Sequence, residues 1–391
     1  VLTINGRFLT QPTTGVQRYA REIVATLDQL LDELRLRRDP VAANRDDPQW
    51  DTRIVSPAGA VLDAPLRAIG LKQTIGHGPI WDQFILPFAA EGVLLSLANK
   101  GPLLSRHHII CIHDVSVFLV PESFGTLYRV YSQIMSRLLA KMAEHVVTVS
   151  HFSARMLSDL GLCRAEKISV IPNGHEHVRR WRPELSRYAA NDAGWRPFIF
   201  VLGSRAHHKN VKILLSIAAE LDALGLDIVM AGGTNKVFST IEAQSLPPNV
   251  HRLGFVNDDD LAALYRNALC LAFPSLTEGF GLPALEAQAL GCPVIASKAG
   301  SLPEVCGQAA LYADPQSPRE WLEQIKRLQS DPGLAKALRQ AGPRQAMNYS
   351  WSNSARLYLD LVTKMQKRHR ANLSSSERRE FDTRQSARLE M

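Results

Sequence analysis

The sequence predicts two doubly wound α/β domains, each a parallel sheet covered on both faces by helices. Short, near-continuous apolar runs alternate with longer amphipathic ones, the pattern of strands buried on both sides. The alternation pauses in a polar stretch, "HEHVRRWRPELSRYAANDAGWRP" at 175–197, and then restarts. At 391 residues the chain is comfortable for two domains. The expected division is a first domain over 1–178, a linker over 179–196 and a second domain over 197–345. A helix over 346–370 is expected to cross back to the first domain, and the polar tail 371–391 to be poorly ordered. Ligands of open α/β sheets collect at the carboxyl ends of strands, so a central cleft between the two domains is the expected site.

The elements follow in order. Strands are expected at "VLTIN" (1–5), "TRIVS" (52–56), "HHIICIHD" (107–114), "HVVTVS" (145–150) and "KISVIPNG" (167–174). Helices are expected at "GVQRYAREIVATLDQLL" (15–31), "YRVYSQIMSRLLAKMAE" (128–144) and "SARMLSDLG" (153–161). After the pause come strand "FIFVLGS", helix "NVKILLSIAAELDALG", strands "DIVMAGG" and "VHRLGF", helix "DDLAALYRNA", strand "LCLAFPS", helix "PALEAQALG" and strand "PVIAS".

Composition narrows the class. Apolar residues make up 46% and charged residues 21%, as in a globular protein with a sizeable core. A formal charge of +7 suits anionic small molecules or an anionic membrane surface, and is too small to argue for nucleic acid. The 5 cysteines, Cys111, Cys163, Cys270, Cys292 and Cys306, form no C-x-x-C pair, so reduced thiols in a cytosolic protein are expected. The opening "VLTINGRFLTQPTTG" lacks a basic leader followed by an apolar run, and the longest apolar tract, "QFILPFAAEGVLLSLAN", is broken by Pro87 and Glu91. The expectation is a cytoplasmic protein, at most lying on the inner face of the cell membrane.

The densest local signal is "PSLTEGFGLPALEAQALGCPVIAS" at 274–297. A strand delivers the chain to a sheet edge, Gly279 and Gly281 turn it, and a helix starts with Pro283 in its first turn and Gly291 as its stop. Such a helix start aims N–H groups and partial positive charge at its ligand, which suits a diphosphate. Glu278 before the elbow and Glu286 inside the helix can accept hydrogen bonds from a polyol and a ribose diol.

This segment resembles the E-x7-E stretch of glycosyltransferase family 4, retaining nucleotide-sugar enzymes of the GT-B fold. "TGVQRYAREI", "IHD" at 112–114, "VTVSHFSARML", "KISVIPNG", "GSRAHHKN" at 203–210 and "GSLPEV" at 300–305 extend the resemblance in order over Thr3 to Lys364. It implies that Glu278 contacts the donor sugar and Glu286 the nucleotide ribose, with Gly279, Phe280, Gly281 and Leu282 facing sugar and diphosphate. His113 would approach the sugar with Asp114 beside it, and Gly15 would let the first loop approach the diphosphate. Members of the family carry a basic pair after the first strand of the second domain, one version resembling G-T-L-E-P-R-K-N. Set against it, Ser204 takes the Thr position, Lys209 the Lys position and His208 the Arg position, with Arg205 as a substitute cation. Asn173, in "IPNG" at 171–174, would sit in the strand-to-linker turn beneath the sugar, and base recognition would use backbone near Phe255–Val256.

The resemblance is strongest to bacterial mannosyltransferases of polysaccharide biosynthesis. It implies a GDP-mannose donor, a glycan acceptor on a lipid carrier, and no cofactor or metal. Asp258 and Asp260 in "NDDDLAALY" could mimic a metal-binding D-x-D motif, but they open a helix, where capping and the helix dipole explain them. "MAGGTNK" lacks the spacing of a dinucleotide-binding G-x-G-x-x-G. A nucleotide-sugar epimerase or an inactive nucleotide-sugar-binding protein of the same fold remains the alternative. The helix over 128–144, mixing aromatic and basic residues, would suit peripheral contact with an anionic bilayer.

Overall fold

The computed structural model describes residues 1–37, 51–190, 194–203, 206–233 and 246–389. Its longer helices are α1 (Gly15–Leu36), α2 (Thr126–Met142), α3 (His151–Asp159), α4 (Asp258–Asn267), α5 (Leu282–Ala289), α6 (Pro318–Ser330), α7 (Pro332–Ala346) and α8 (Trp351–Leu389). By contacts the chain divides into two compact units. The first is Val1–Ile110 with Met142–Glu144 and Ser352–Met391; the second is Cys111–Lys141 with His145–Trp351.

In the first unit, strands β1 (Leu2–Asn5), β2 (Thr52–Pro57), β3 (Gly70–Thr74), β4 (Val93–Ser96) and β5 (His108–Cys111) run in the order β3-β2-β1-β4-β5. The pairings are parallel. Helix α1 buries Tyr19, Ala20, Ile23, Val24, Leu27 and Leu31, one face at the 3.6-residue period. On that face Asp28 is also buried, and its carboxylate accepts the backbone N–H groups of Arg67, Ala68 and Ile69 at 2.7–3.0 Å. A buried charge is tolerated there because every donor meets it directly. The Tyr358 hydroxyl on α8 lies 2.9 Å from that of Tyr19, so the chain's last helix belongs with the opening residues, as expected from the sequence.

The second unit holds the parallel pair β6 (His145–Thr148) and β7 (Ile168–Val170). It also holds β8 (Phe198–Leu202), β9 (Asp227–Ala231), β10 (Val250–Gly254), β11 (Cys270–Phe273), β12 (Val294–Ser297) and β13 (Leu311–Ala313), in the order β10-β9-β8-β11-β12-β13. Alternate residues enter different apolar clusters. Phe198, Phe200, Leu271, Phe273, Val294 and Ala296 fall in one, and Ile199, Val201, Cys270, Ala272 and Ile295 in the other. A strand that buries both of its faces reads as a continuous apolar run, which is why these strands are visible in sequence.

Three strands were not expected. β3, "GLKQT", is a polar edge strand; β4 is hidden inside the long apolar tract; β13 has only 3 residues. In the polar stretch after Gly174, Val178 and Trp181 enter the apolar core of the second unit and His177 is fully buried. The tail differs too: α8 continues through 371 to Leu389. Its Ala, Glu, Arg, Gln and Leu residues are strong helix formers. All 5 cysteines are buried, and none forms a disulfide among the described residues. Among the described residues no helix is long and apolar enough to cross a membrane.

Candidate functional site

The second unit brings three loops together around the elbow. The chain leaves β11 through Pro274 and the buried Ser275, reaches Glu278, and turns into α5 at Gly281. Gly281 has φ of +93°, a left-handed conformation that disfavours any side chain. Gly279 serves by closeness instead. A Cβ there would stand 2.4 Å from the His113 carbonyl oxygen and 2.7 Å from Asp114 Cβ. The Gly279 carbonyl accepts the hydroxyls of Ser150 at 2.6 Å and Ser153 at 3.2 Å, while Ser153 also donates to the His113 carbonyl at 3.1 Å. Two serines at the start of α3 thus stitch the elbow to the 113–114 segment.

Glu278 is held from two sides. Its Oε1 accepts Lys209 Nζ at 2.6 Å and Ser275 Oγ at 2.6 Å. The two charged side chains are 20% and 13% exposed, for Lys209 and Glu278 respectively, so solvent reaches both without screening them fully. The Glu278 carbonyl accepts the Ser301 N–H and hydroxyl. Lys209 comes from a short 3-10 turn, His207–Lys209, which ends at Asn210 with φ of +53°. The Asn210 side-chain amide donates to the carbonyls of Pro274 and Pro315, tying that turn to the end of β11.

His208 lies beside Lys209 but is not a second cation. Burial, and then the Lys209 ammonium, push its pKa below the ordinary imidazole value, so it is neutral at pH 7. Its ring stacks on Phe124 with centroids 5.9 Å apart, its backbone N–H donates to Ser123 Oγ, and its carbonyl accepts the Leu276 N–H. Ser204 and Arg205 lie outside the described residues.

Glu286 on α5 is 4% exposed, and its Oε1 lies 2.9 Å from His177 Nε2. The Trp351 indole N–H donates to His177 Nδ1 at 3.1 Å. An indole can only donate, so Nδ1 is the unprotonated nitrogen and Nε2 carries the proton given to Glu286. His113 is buried, and Asp114 Oδ1 accepts the Ser116 N–H at 2.8 Å, closing the turn after β5. Asn173 is buried, with no hydrogen-bond partner for its Oδ1 among the described residues. Phe280 and Leu282 are buried, Phe280 edge-on to Tyr349. Val256 is buried and Phe255 exposed. Gly15 starts α1 in the first unit, after Thr14, whose N–H donates to Gln17 Oε1. Asn257 caps α4 by accepting the Asp260 N–H, and Asp260 Oδ1 accepts the Ser186 hydroxyl at 2.7 Å.

Thus the fold gathers Glu278, Lys209, His208, Gly279, His113 and Asp114. The sequence reading missed Ser275, Ser150, Ser153, Asn210 and His177. Ser275, Ser150, Ser153 and Asn210 stood within quoted motifs, but hydroxyls and amides that hold a carboxylate or a backbone carbonyl leave no periodicity to read. His177 stood in the polar stretch 175–197, where no pattern marks it.

The arrangement pairs an acid and a cation beside a helix start, which can grip hydroxyls and phosphate together. The family profile "Glycosyl transferase 4-like domain" matches residues 14–174, and "Glycosyl transferases group 1" matches 187–345. The chain is 29% identical over 346 residues to the O-antigen chain mannosyltransferase RfbU of Salmonella typhimurium, covering 85% of this chain and 92% of that protein. It is 26% identical over 378 residues to O-antigen chain mannosyltransferase B of Escherichia coli, covering 88% and 94%. Among solved structures, sucrose-phosphate synthase from Thermosynechococcus elongatus shares the fold with a TM-score of 0.70 at 16% identity, covering 94% of this chain and 99% of that one. With a profile match to each half and relatives that align over most of its length, the chain belongs to the glycosyltransferases of the GT-B fold that join a 4-like domain to a group 1 domain.

Proposed function

We propose that this glycosyltransferase moves a hexose, mannose from GDP-mannose in the first instance, to a hydroxyl of a lipid-linked glycan with retention of anomeric configuration. The observation that carries the reading is the Lys209–Glu278 pair at the carboxyl end of β11, one turn before the start of α5. In this reading Lys209 and the backbone N–H groups of Gly281 and Leu282 at the start of α5 stabilise the departing diphosphate, a point charge and dipoles fixed before the reaction begins. Glu278 and His113 hold the sugar. Glu286, with one oxygen fixed by His177, holds the ribose. Neutral His208 offers a hydrogen bond rather than a charge. Mannose is favoured by the O-antigen mannosyltransferases among the relatives.

The test is a thermal-shift screen against GDP, UDP, ADP and their sugars, followed by transfer to a lipid-linked glycan. Nucleoside diphosphate released in step with glycosylated acceptor supports transfer. Release without acceptor, sugar inversion in the donor, or binding alone would point to the epimerase or binding-protein alternative.

Peripheral membrane contact is the second part of the proposal. On α2, Leu127, Tyr131, Ile134 and Leu138 recur at helical spacing and are exposed, Leu127 by 89%, with Arg137 and Lys141 alongside. Sedimentation with anionic liposomes should recover the protein, and Leu127→Glu with Ile134→Glu should abolish that recovery. Wild-type protein left in the supernatant would refute it.

A further inference from the structure

We propose that His107, Glu144 and His369 form a binding site for a divalent transition-metal ion of the zinc class, which clasps the C-terminal helix to the first unit. The three lie outside the donor site and outside every motif of the sequence. They are separated by 37 and 225 positions along the chain. His107 directly precedes β5, Glu144 follows α2, and His369 stands on α8; all three belong to the first unit.

The geometry is that of a ligand set. His107 Nδ1 lies 3.1 Å from Glu144 Oε2, and His369 Nε2 lies 2.8 and 2.9 Å from the two Glu144 oxygens. One ligand atom from each residue falls within 4.8 Å of the others. Tetrahedral zinc with bonds of about 2.0 Å places neighbouring ligand atoms about 3.3 Å apart. Small side-chain adjustments therefore complete the set. Two imidazole nitrogens and a carboxylate oxygen suit zinc and its neighbours rather than magnesium or calcium, which take oxygen. The side chains are 44%, 30% and 20% exposed for His107, Glu144 and His369, so an ion can enter and water can take the fourth position. The two imidazoles pack with centroids 3.7 Å apart.

Rigidity favours the site as well. The Glu144 N–H is fixed by the His108 carbonyl at 2.9 Å, so the residues on either side of the cluster are tied before any ion arrives. Binding would add stability to the arrangement that joins α8 to β5.

The experiment is calorimetric titration of untagged, full-length protein with Zn²⁺ alone, with thermal unfolding alongside. Co²⁺ serves as a spectroscopic probe. Wild type should bind one equivalent, unfold at a higher temperature with metal, and give the visible absorption of tetrahedral cobalt. His369→Gln keeps a donor for Glu144 but removes the nitrogen ligand, and His107→Gln does the same on the other side. Each should weaken binding by more than the roughly 10–100-fold expected for losing an outer partner. Each should also lose the metal-dependent rise while leaving metal-free unfolding near wild type. No saturable binding to wild type, or binding unchanged in both variants, overturns the proposal.

Discussion

Glu278→Gln separates the roles of the acid and the cation, because the amide preserves the shape and the acceptor while removing the charge. Lys209 donates to Glu278 Oε1 at 2.6 Å. A diphosphate must compete with that carboxylate for the ammonium. Bonds that involve a charged group are worth about 1.5–3 kcal/mol, with an ammonium on a carboxylate at the upper end and an ammonium on a neutral amide at the lower end. Removing the charge therefore loosens the hold on Lys209 by about 1–1.5 kcal/mol. The residual exposure of both side chains places the change at the lower end of that range. Nucleoside diphosphate should then bind roughly 5–10-fold tighter to Glu278→Gln. Turnover should fall on the order of 100-fold or more, since the charge facing the developing positive centre is gone. Lys209→Ala should move the other way in binding, weaker by about 10–100-fold, from loss of a charge-assisted bond. Calorimetric titration of both variants with the preferred nucleotide, beside steady-state rates, gives all four quantities. If Glu278→Gln weakens nucleotide binding as Lys209→Ala does, the acid and the phosphate do not share Lys209 and the assignment fails.

Two further outcomes follow from packing and from burial. Gly279→Ala puts a Cβ against the His113 carbonyl, which is backbone and cannot swing aside, so the second unit should lose about 1–3 kcal/mol and nucleotide affinity should fall; wild-type values in denaturant unfolding and titration would show that the elbow is not pinned there. His108 is fully buried with its pKa lowered to about 3 by burial, against 6.5 when unfolded. The unfolded chain binds the extra proton between those values, so stability is complete above about pH 6.5 and falls by about 1.4 kcal/mol per pH unit below it. Between pH 7 and pH 4.5 wild type should lose about 2–3 kcal/mol more than His108→Gln in urea unfolding, and equal losses in the two proteins would refute this.

The sequence by itself determined the two parallel sheets and the elbow. Strands buried on both faces must be apolar throughout, as "FIFVL" and "PVIAS" are, and a left-handed turn before a helix demands glycine, as at Gly281. Lys209 and Glu278 were also visible, each as a candidate in its own motif. That they bond to one another was not, since 69 positions separate them and no local pattern carries the pairing. Tertiary structure decided that the His208 pKa lies below the ordinary imidazole value, because the larger cause is burial, which no local pattern carries, and only the smaller one is the adjacent Lys209 ammonium. It likewise decided that Glu286 is held by His177, and that His107, Glu144 and His369 meet. Local propensity is written along the chain, whereas protonation, pairing and ligand sets depend on distances that exist only once distant segments have packed.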